Sequence, residues 1–284
     1  MKILLAGASG VIGRTLVPLL VGAGHEVAGT TRAAASAALI ESLGARPVVV
    51  DVYARERLFE VMRTERPDAI IHQLTDLRAR DFAANARLRS AGTRNLIDAA
   101  HAVGVGRVVA QSLAFAYAPG DGPAGEEEPL DVDAPPPLNQ TASGVRALEA
   151  AVGEVAAGVV LRYGALYGPG SWMAHDGPVA EQVRRGELAA NEGITSFVQV
   201  EDAARAALLA LGWPRGAYNI VDDEPAPATT WLPIYAGALG APAPASTSGS
   251  RRGERGASNA KAREQLGWQP RYASWRVGFR EALG

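Results

Sequence analysis

Residues 2–17 read KILLAGASGVIGRTLV, and this stretch decides the fold. A short apolar run leads directly into glycines at positions 7, 10 and 13, and a periodic apolar segment follows. On a strand–turn–helix unit, glycines at this spacing permit a tight turn, let a pyrophosphate approach the backbone, and let the helix pack closely on the strand. The stretch therefore predicts a dinucleotide site, which we assign to Gly7, Ser9, Gly10, Val11, Ile12, Gly13 and Arg14.

The alternation of a short apolar run with a longer helical pattern continues downstream. Predicted strands lie at 2–7, 26–30, 46–50, 68–73, 106–112 and 157–162. Predicted helices lie near 12–23, 54–65, 80–103 and 141–153, and a strand near 195–200, a helix near 202–212 and a strand near 217–221 follow. Strands that are apolar without alternation are typical of a parallel sheet covered by helices on both faces. We therefore expect an α/β chain with a Rossmann-type doubly wound parallel sheet.

The composition of the 284-residue chain is that of a globular protein, with 48% hydrophobic residues, 20% charged residues and a net charge of −2. Disorder is excluded, and the lack of a basic excess disfavours nucleic acid or an anionic membrane as a partner. No apolar run reaches the about 18 residues of a membrane span. Cysteine is absent, which excludes disulfides and thiolate metal sites and fits a cytoplasmic location. The four histidines are scattered, so we expect no metal site.

The second predicted strand bears on the choice between NAD and NADP. It ends in Thr31 and Arg32, without the acidic residue that accepts a hydrogen bond from the ribose 2′-hydroxyl in NAD proteins. An arginine pairs well with a 2′-phosphate, and Arg14 is a second candidate for that group. We therefore expect NADP, with NAD as the alternative; the simpler interpretation is that both arginines face solvent. Asp51, followed by Val52, either accepts from the adenine amino group, which we favour, or caps the helix near 54.

Further motifs carry a resemblance to a known family. They are DAIIH at 68–72, AGTRNLIDAA at 91–100, GRVV at 106–109, LRYGALYGPG at 161–170, FVQVEDAA at 197–204, AYNI at 217–220 and LGWQP at 266–270. In order and spacing they resemble the NAD(P)-dependent epimerase/dehydratase family, the extended or atypical branch of the short-chain dehydrogenase/reductases. The resemblance implies a Rossmann domain, a small C-terminal substrate-binding lobe and a cleft between them. It also implies coenzyme contacts from Gln73, Leu74, Thr75, Gln111 and Tyr163.

From these landmarks we expect an NADP-binding domain over residues 1–165, completed by about 195–221, and a substrate-binding lobe formed by residues 166–194 and 222–284. Two segments rich in Gly and Pro, 118–137 and 237–258, are expected to be surface loops. Their glutamates at 126–128 are interpreted as solvated, and the arginines at 251, 252 and 255 as part of a solvated loop, with a phosphate site as the alternative. The family further implies a homodimer through helices near 80–103 and 141–153, where small residues permit close approach.

The catalytic pair of the family is missing. The resemblance implies a Tyr and, four residues later on the same helix face, a Lys whose ammonium lowers the pKa of the phenol. This chain has Thr141 and Val145 at those positions. The family's serine position falls on Leu113, next to Ser112, and its helix asparagine is replaced by Arg89. Because an aliphatic hydroxyl is far less acidic than a phenol, we expect a proton donor other than the usual tyrosine.

The remaining candidates for chemistry are few, and for each one alone a packing or surface role is the simpler interpretation. The catalytic candidates are Ser112, Thr141 and Tyr117. The candidates for contact with a small-molecule substrate are Tyr117, Tyr163, Trp172 and His175. Ala165 stands where family members that act on nucleotide sugars commonly carry Asn. This replacement disfavours a nucleotide sugar and favours a smaller or more apolar substrate.

Three functions are compatible with this pattern. The first is an NAD(P)-dependent oxidoreductase acting on a small substrate, because the coenzyme carries the hydride chemistry and the protein mainly orients it. A reducible C=C or C=N bond needs less help from an acidic tyrosine than a ketone does. The second is a redox-inert NADP-binding regulator or scaffold, since fold alone does not determine function. The third is a redox-neutral isomerisation or dehydration with tightly held coenzyme.

Overall fold

The strands follow the predicted alternation closely. The computed structural model describes residues 1–76 and 81–284. In chain order the strands are β1 (Lys2–Ala6), β2 (Glu26–Thr31), β3 (Arg46–Val49), β4 (Ala69–His72), β5 (Arg107–Leu113), β6 (Ala157–Tyr163), β7 (Ala165–Tyr167), β8 (Ile194–Thr195), β9 (Phe197–Gln199), β10 (Gly216–Ile220) and β11 (Ala226–Pro227). All six strands predicted before residue 165 are present, within one or two residues at each end.

Seven of these strands form the central sheet, in the spatial order β10-β6-β5-β4-β1-β2-β3. The pairings of β1 with β2 and β4, of β2 with β3, and of β4 with β5 are parallel. The chain order reverses between β1 and β4, which is the point where doubly wound sheets bind dinucleotides. The predicted Rossmann-type fold class is confirmed.

The helices are more numerous than predicted. They are α1 (Val11–Gly22), α2 (Ala37–Ser42), α3 (Arg55–Glu65), α4 (Phe82–Arg87), α5 (Thr93–Ala102), α6 (Leu138–Gly153), α7 (Pro178–Arg184), α8 (Val200–Leu209), α9 (Ala228–Ala238), α10 (Ala260–Leu266) and α11 (Trp275–Glu281). The helix predicted near 80–103 corresponds to α4 and α5, joined by a π-helical turn over Leu88–Gly92; residue 80 lies outside the described residues. The sequence reading missed α2, α7, α9, α10 and α11. Four of these have only six or seven residues, too few for a helical period to stand out, and α9 contains Pro233, a residue that is unfavourable inside a helix.

The chain divides into two compact units. Unit 1 comprises residues 1–112, 135–161 and 204–217. Its core joins the apolar faces of the central strands to α3, α5 and α6, through residues such as Leu4, Met62, Ile70, Leu96 and Leu148. Every one of these five side chains is almost completely buried, as expected for strands and helices in a layered α/β core.

Unit 2 comprises residues 113–134, 162–203 and 218–284. Residues 113–134, which the sequence places in the coenzyme domain, thus pack with this unit. Two small sheets, β7 with β9 and β8 with β11, belong to it. Its core is aromatic: Tyr167, Phe197 and Phe279 meet edge to face, with ring centroids 5.2 to 6.4 Å apart.

The loop arginines of unit 2 correct one expectation from the sequence. Arg255 is buried, forms an ion pair with Glu128, and donates from Nε to the Gly122 carbonyl oxygen at 2.8 Å. Arg252 pairs with Asp131 at 2.7 Å. The interpretation of Arg255 as solvated was wrong, because carbonyl oxygens and a carboxylate far away in sequence surround its guanidinium in the fold. Arg252 is exposed, as interpreted, although it is paired, and Glu128 is partly exposed.

The small residues of α6 have a use within the chain. A Cβ added at Gly144 would lie 3.0 Å from the Cα of Ala86, so α6 and α4 pack against each other at this glycine. Ala142 and Ala151 are buried as well, whereas Ala150 is exposed. Gly144 therefore permits packing within the chain rather than close approach between two copies of it. The homodimer stays a prediction.

None of the helices described at residues 1–76 and 81–284 combines the length and the apolar character that a bilayer crossing requires.

Candidate functional site

The glycine-rich turn lies between β1 and α1 in unit 1. Gly7 has φ +95°, in the region that side chains other than glycine rarely adopt. The turn is closed by the Gly10 amide, which donates to the Gly7 carbonyl oxygen at 3.0 Å. A Cβ at Gly7 would lie 2.9 Å from the backbone carbonyl of Gln73. One at Gly13 would lie 2.7 Å from the Ala8 carbonyl oxygen and closer still to that of Gly7. Both positions therefore require glycine.

This turn suits a pyrophosphate. The helix α1 begins at Val11, so the free N–H groups of its first turn, from Val11 to Gly13, face the glycine loop, and the Arg14 amide makes the first helical bond, to the Gly10 carbonyl oxygen at 2.9 Å. Its first turn has no acidic residue that would repel a phosphate. The residues present therefore fit the diphosphate of a dinucleotide, and Ser9 and Ile12 belong to the same loop and helix start.

The carboxyl end of β2 places Thr31 and Arg32 in the same unit. Thr31 is buried, and its hydroxyl both donates to the Ala33 carbonyl oxygen and accepts from the Ala33 amide. Arg32 is exposed and pairs with Asp76, its Nη1 3.1 Å from Oδ2. The sequence reading missed Asp76, although its place just after β4 was a signal, since the carboxyl ends of parallel strands meet at one edge of a sheet.

Asp51 does not cap α3. The N-cap of α3 is Ala54, which makes no side-chain cap. The Asp51 carboxylate instead accepts from the Tyr53 amide at 2.9 Å, an Asx-type turn, and the side chain is exposed. Val52 is buried in the core of unit 1. Of the two roles considered for Asp51, contact with adenine stays a prediction and capping of the helix near 54 is wrong.

The carboxyl end of β4 carries the next group of candidates. Gln73 and Leu74 follow the strand directly, and Gln111 on β5 donates to the Leu74 carbonyl oxygen at 3.1 Å. Thr75 is exposed. His72 is buried, accepts at Nδ1 from the Leu74 amide at 3.2 Å, and lies with Nε2 2.9 Å from the Thr93 hydroxyl. This geometry assigns the neutral imidazole that carries its proton on Nε2.

Ser112 and Thr141, two of the catalytic candidates, also belong to unit 1. Ser112 is completely buried, and its hydroxyl donates to Glu149 on α6 at 2.7 Å. Thr141 is half-buried on α6, one turn before the fully buried Val145. A serine whose proton is held by a carboxylate is not free to give it to a substrate, and Thr141 has a valine where a cation would have to follow it on its helix face. Neither residue reproduces a Tyr–Lys pair.

Arg89 lies on the π-helical turn of unit 1 with only 2% of its surface exposed. Its Nε is buried and has no hydrogen-bond acceptor among the described residues. Burial lowers the pKa of Arg89 to about 10, so the guanidinium is still charged at neutral pH. The positive charge of Arg89 adds to burial in lowering the pKa of His72 to about 4.

Tyr117, the third catalytic candidate, lies in unit 2 at the centre of a buried polar network. Its hydroxyl donates to Asn219 Oδ1 at 2.7 Å and accepts from Arg162 at 2.7 Å. Asn219 donates in turn to the carbonyl oxygens of Ala124 and Ser258. Burial raises the pKa of Tyr117 to about 12, against the opposing effect of Arg162. Its hydroxyl is thus committed to holding unit 2 together.

The other substrate-binding candidates are also in unit 2. Tyr163 is buried, and its hydroxyl donates to the Ala203 carbonyl oxygen at 3.2 Å. Trp172 is half-buried, whereas His175 is exposed with its ring 3.4 Å from Arg184. Within residues 1–76 and 81–284, no three His, Asp or Glu side chains are grouped as a metal ion would require.

Comparison with known proteins identifies the family to which the chain belongs. The sequence model described as NAD dependent epimerase/dehydratase family matches residues 3–221. The chain belongs to this family. It is therefore an NAD(P)-binding, oxidoreductase-type enzyme with a Rossmann fold. The interpretation as a redox-inert regulator or scaffold is set aside.

Three relatives of this family member are informative. A Streptomyces protein named 3-diazoavenalumate denitrifying reductase is 44% identical over 305 residues, which cover 98% of this chain and 99% of its own. The Thermus thermophilus UDP-glucose 4-epimerase, in complex with NAD, is 27% identical with a TM-score of 0.78, covering 100% of this chain and 98% of that one. The Thermotoga maritima UDP-glucose 4-epimerase, with UDP-glucose, is 22% identical with a TM-score of 0.80, covering 100% and 97%; this likeness shows the fold alone.

Proposed function

We propose that this member of the epimerase/dehydratase family is an NADP(H)-dependent reductase that removes the nitrogen of a small diazo carboxylate. The observation that carries the proposal is the match, along nearly the whole of both chains, to a protein named as a denitrifying reductase of 3-diazoavenalumate. The replacement of the family's Tyr and Lys by Thr141 and Val145 supports it from the chemistry. Ala165 supports the proposal as well, because this residue disfavours a nucleotide sugar as the substrate.

The missing proton donor suits this reaction. A carbonyl reduced by hydride must take up a proton, and the family's tyrosine provides it. A diazonium carbon already carries a cationic leaving group: hydride forms the new C–H bond, the C–N bond breaks, and its electron pair leaves with N2. The sum, C–N2⁺ plus H⁻ giving C–H and N2, is balanced without a proton. A threonine and a valine are therefore sufficient where a ketone reductase needs a phenol.

Different residues of unit 1 have different roles in binding the coenzyme. When bound, the reduced coenzyme supplies the hydride. The glycine loop holds the diphosphate, with Gly7, Gly10 and Gly13 allowing the close approach and Arg14 completing the first turn of the helix. Gln111 fixes the backbone after β4 through its bond to the Leu74 carbonyl oxygen. The buried neutral His72 keeps that end of the strand rigid through bonds on both ring nitrogens.

The proposal is tested by isotope transfer and gas evolution. The purified protein is mixed with 3-diazoavenalumate or 4-carboxybenzenediazonium and with NADPH deuterated at C4, on one face and then on the other. We expect one face alone to deliver deuterium to the carbon that lost nitrogen, with one N2 released for each NADPH oxidised. A protein-free reaction corrects for spontaneous reduction. Tight NADPH binding without turnover of diazo, enone or imine compounds contradicts the proposal, and product without net NADPH loss indicates the redox-neutral alternative.

The preference for NADP rests on the tip of β2. Arg32 has no acid beside it in sequence, and its exposed ion pair with Asp76 can exchange for a 2′-phosphate. Arg32→Asp is expected to weaken NADP⁺ binding about 10- to 100-fold, because a charge-assisted hydrogen bond is lost and a like charge is added. NAD⁺ binding is expected to stay the same or tighten, since a carboxylate accepts from the 2′-hydroxyl.

The dissociation constants of both nucleotides are measured by calorimetry for wild type, Arg32→Asp and Arg57→Asp. Arg57 is a matched control because it is an exposed arginine of unit 1 that pairs with Glu60 on its own helix. An equal loss for NADP⁺ and NAD⁺ in Arg32→Asp would show that the 2′-phosphate lies elsewhere.

A further inference from the structure

Arg89 is a buried cation that the proposed reaction does not use. Only 2% of the residue is exposed, and Nε has no acceptor among the described residues. Ion pairs are found elsewhere in the described chain, but none joins Arg89 to a carboxylate at residues 1–76 or 81–284. A charge removed from water without a partner is strongly unfavourable, so a protein retains one only where something compensates for it.

The buried charges of two other arginines of the chain are compensated by hydrogen-bond acceptors. Arg162 is as well buried as a core residue, and its guanidinium donates to the Tyr117 hydroxyl and the Glu126 carbonyl oxygen. Arg255, equally buried, donates to three backbone carbonyl oxygens and pairs with Glu128. Arg89 differs from both, because the described part of the chain provides no such set of acceptors for it.

His72, whose pKa is lowered in part by the charge of Arg89, does not neutralise that charge. His72 is neutral, carries its proton on Nε2 towards Thr93, and accepts at Nδ1 from the Leu74 amide, so neither nitrogen has a lone pair to spare. The π-helical turn that carries Arg89 packs against α6, the helix of Thr141 and Val145. The cation thus belongs to the part of unit 1 from which the family's lysine has been lost.

We propose that the guanidinium of Arg89 binds the carboxylate of the substrate. This inference rests on the proposed function, since it takes the substrate to be an anion. The diphosphate of the coenzyme already has the glycine loop and the start of α1, whereas no residue of unit 1 has so far been assigned to a carboxylate. A planar guanidinium matches a carboxylate in two parallel hydrogen bonds, and exclusion of water makes such bonds strong. A substrate held at its carboxylate is also oriented, which is the main task left to a protein whose coenzyme supplies the hydride.

The test uses binding alone and needs no turnover. Calorimetry in saturating NADP⁺ compares trans-cinnamate with its neutral isostere cinnamamide, on wild type, Arg89→Gln and Arg89→Lys. For wild type we expect cinnamate to bind at least about 10-fold more tightly than cinnamamide, the factor that one charge-assisted hydrogen bond provides. In Arg89→Gln the preference is expected to vanish, and in Arg89→Lys to survive in part. The affinity for NADP⁺ is expected to change less than about threefold, since no coenzyme contact is removed.

Two outcomes overturn the proposal. One is a wild-type protein that does not distinguish cinnamate from cinnamamide. The other is an Arg89→Gln protein that keeps the preference but loses NADP⁺ affinity, which would assign the guanidinium to the coenzyme. If Arg89→Gln does not fold, the binding data for Arg89→Lys test the proposal instead. A lysine keeps the charge but lacks the planar guanidinium, so the preference for cinnamate over cinnamamide is expected to fall without vanishing. Failure of the diazo reduction leaves this binding result intact, so the two proposals fail separately.

Discussion

Gly13→Val is expected to abolish coenzyme binding. A Cβ at this position would lie 2.7 Å from the Ala8 carbonyl oxygen and closer to that of Gly7, and both atoms are backbone. The turn between β1 and α1 must then open, which moves the N–H groups at the start of the helix away from the diphosphate. We expect the affinity for NADPH to fall by about 100-fold or more, equivalent to about 3 kcal/mol, the upper range for forcing extra atoms into a packed site.

Gly22→Ala is the matched control for this change. Gly22 ends the same helix, and a Cβ there would meet nothing within 4 Å. Because alanine is the better helix former, this variant is expected to be as stable as wild type and to bind NADPH equally well. Fluorescence titration measures binding, and circular dichroism verifies that both variants are folded. Normal affinity in Gly13→Val would mean that the diphosphate lies away from the glycine loop.

His72 is expected to make unit 1 sensitive to acid. Burial lowers the pKa of His72 to about 4 from its usual 6.5, with a contribution from the charge of Arg89. Below pH 6.5 the unfolded chain therefore binds a proton that the folded chain refuses, so stability falls as the pH falls from about 6.5 to about 4. The total loss attributable to this histidine is about 3 kcal/mol at the acidic end of that window.

His72→Gln removes this sensitivity. Glutamine is neutral at every pH and can still donate to Thr93. The free energy of unfolding of this variant is expected to be lower than that of wild type at about pH 7.5. It is expected to fall by about 2 kcal/mol less than that of wild type between that pH and about pH 4.5, because no buried imidazole is left to protonate. Urea unfolding at the two pH values measures the difference. His101→Gln is the control, because His101 is exposed and removing it eliminates no buried imidazole. A stability difference between wild type and His72→Gln that is the same at both pH values contradicts the assignment.

The glycine-rich turn at which we predict the coenzyme was accessible from the sequence for a local reason. Gly7, Gly10 and Gly13 are needed by the backbone of a single turn, and that turn is specified by the residues on either side of it. The apolar runs of β1 to β6 are likewise local signals, because a strand buried on both faces shows it in four or five consecutive residues. The parallel sheet followed from these runs and their spacing.

The state of individual polar side chains was not accessible in this way. Ser112 was a catalytic candidate by position, yet its proton is held by Glu149, 37 residues later in the chain. Tyr117 was a candidate for chemistry, but Arg162 and Asn219 engage its hydroxyl from two distant segments. Arg32 was expected to be available, and Asp76 lies beside it.

The sequence by itself thus determined the fold class, and it predicted the place of the dinucleotide and, through the family resemblance, the loss of the Tyr–Lys pair at Thr141 and Val145. Only the tertiary structure decided which charges are paired, and it alone shows that Arg89 is buried without an anion among the described residues. The physical reason is the range of the forces involved. Strand and helix periods and glycine turns are properties of neighbours in sequence, whereas burial and ion pairing depend on groups that folding brings together from far along the chain.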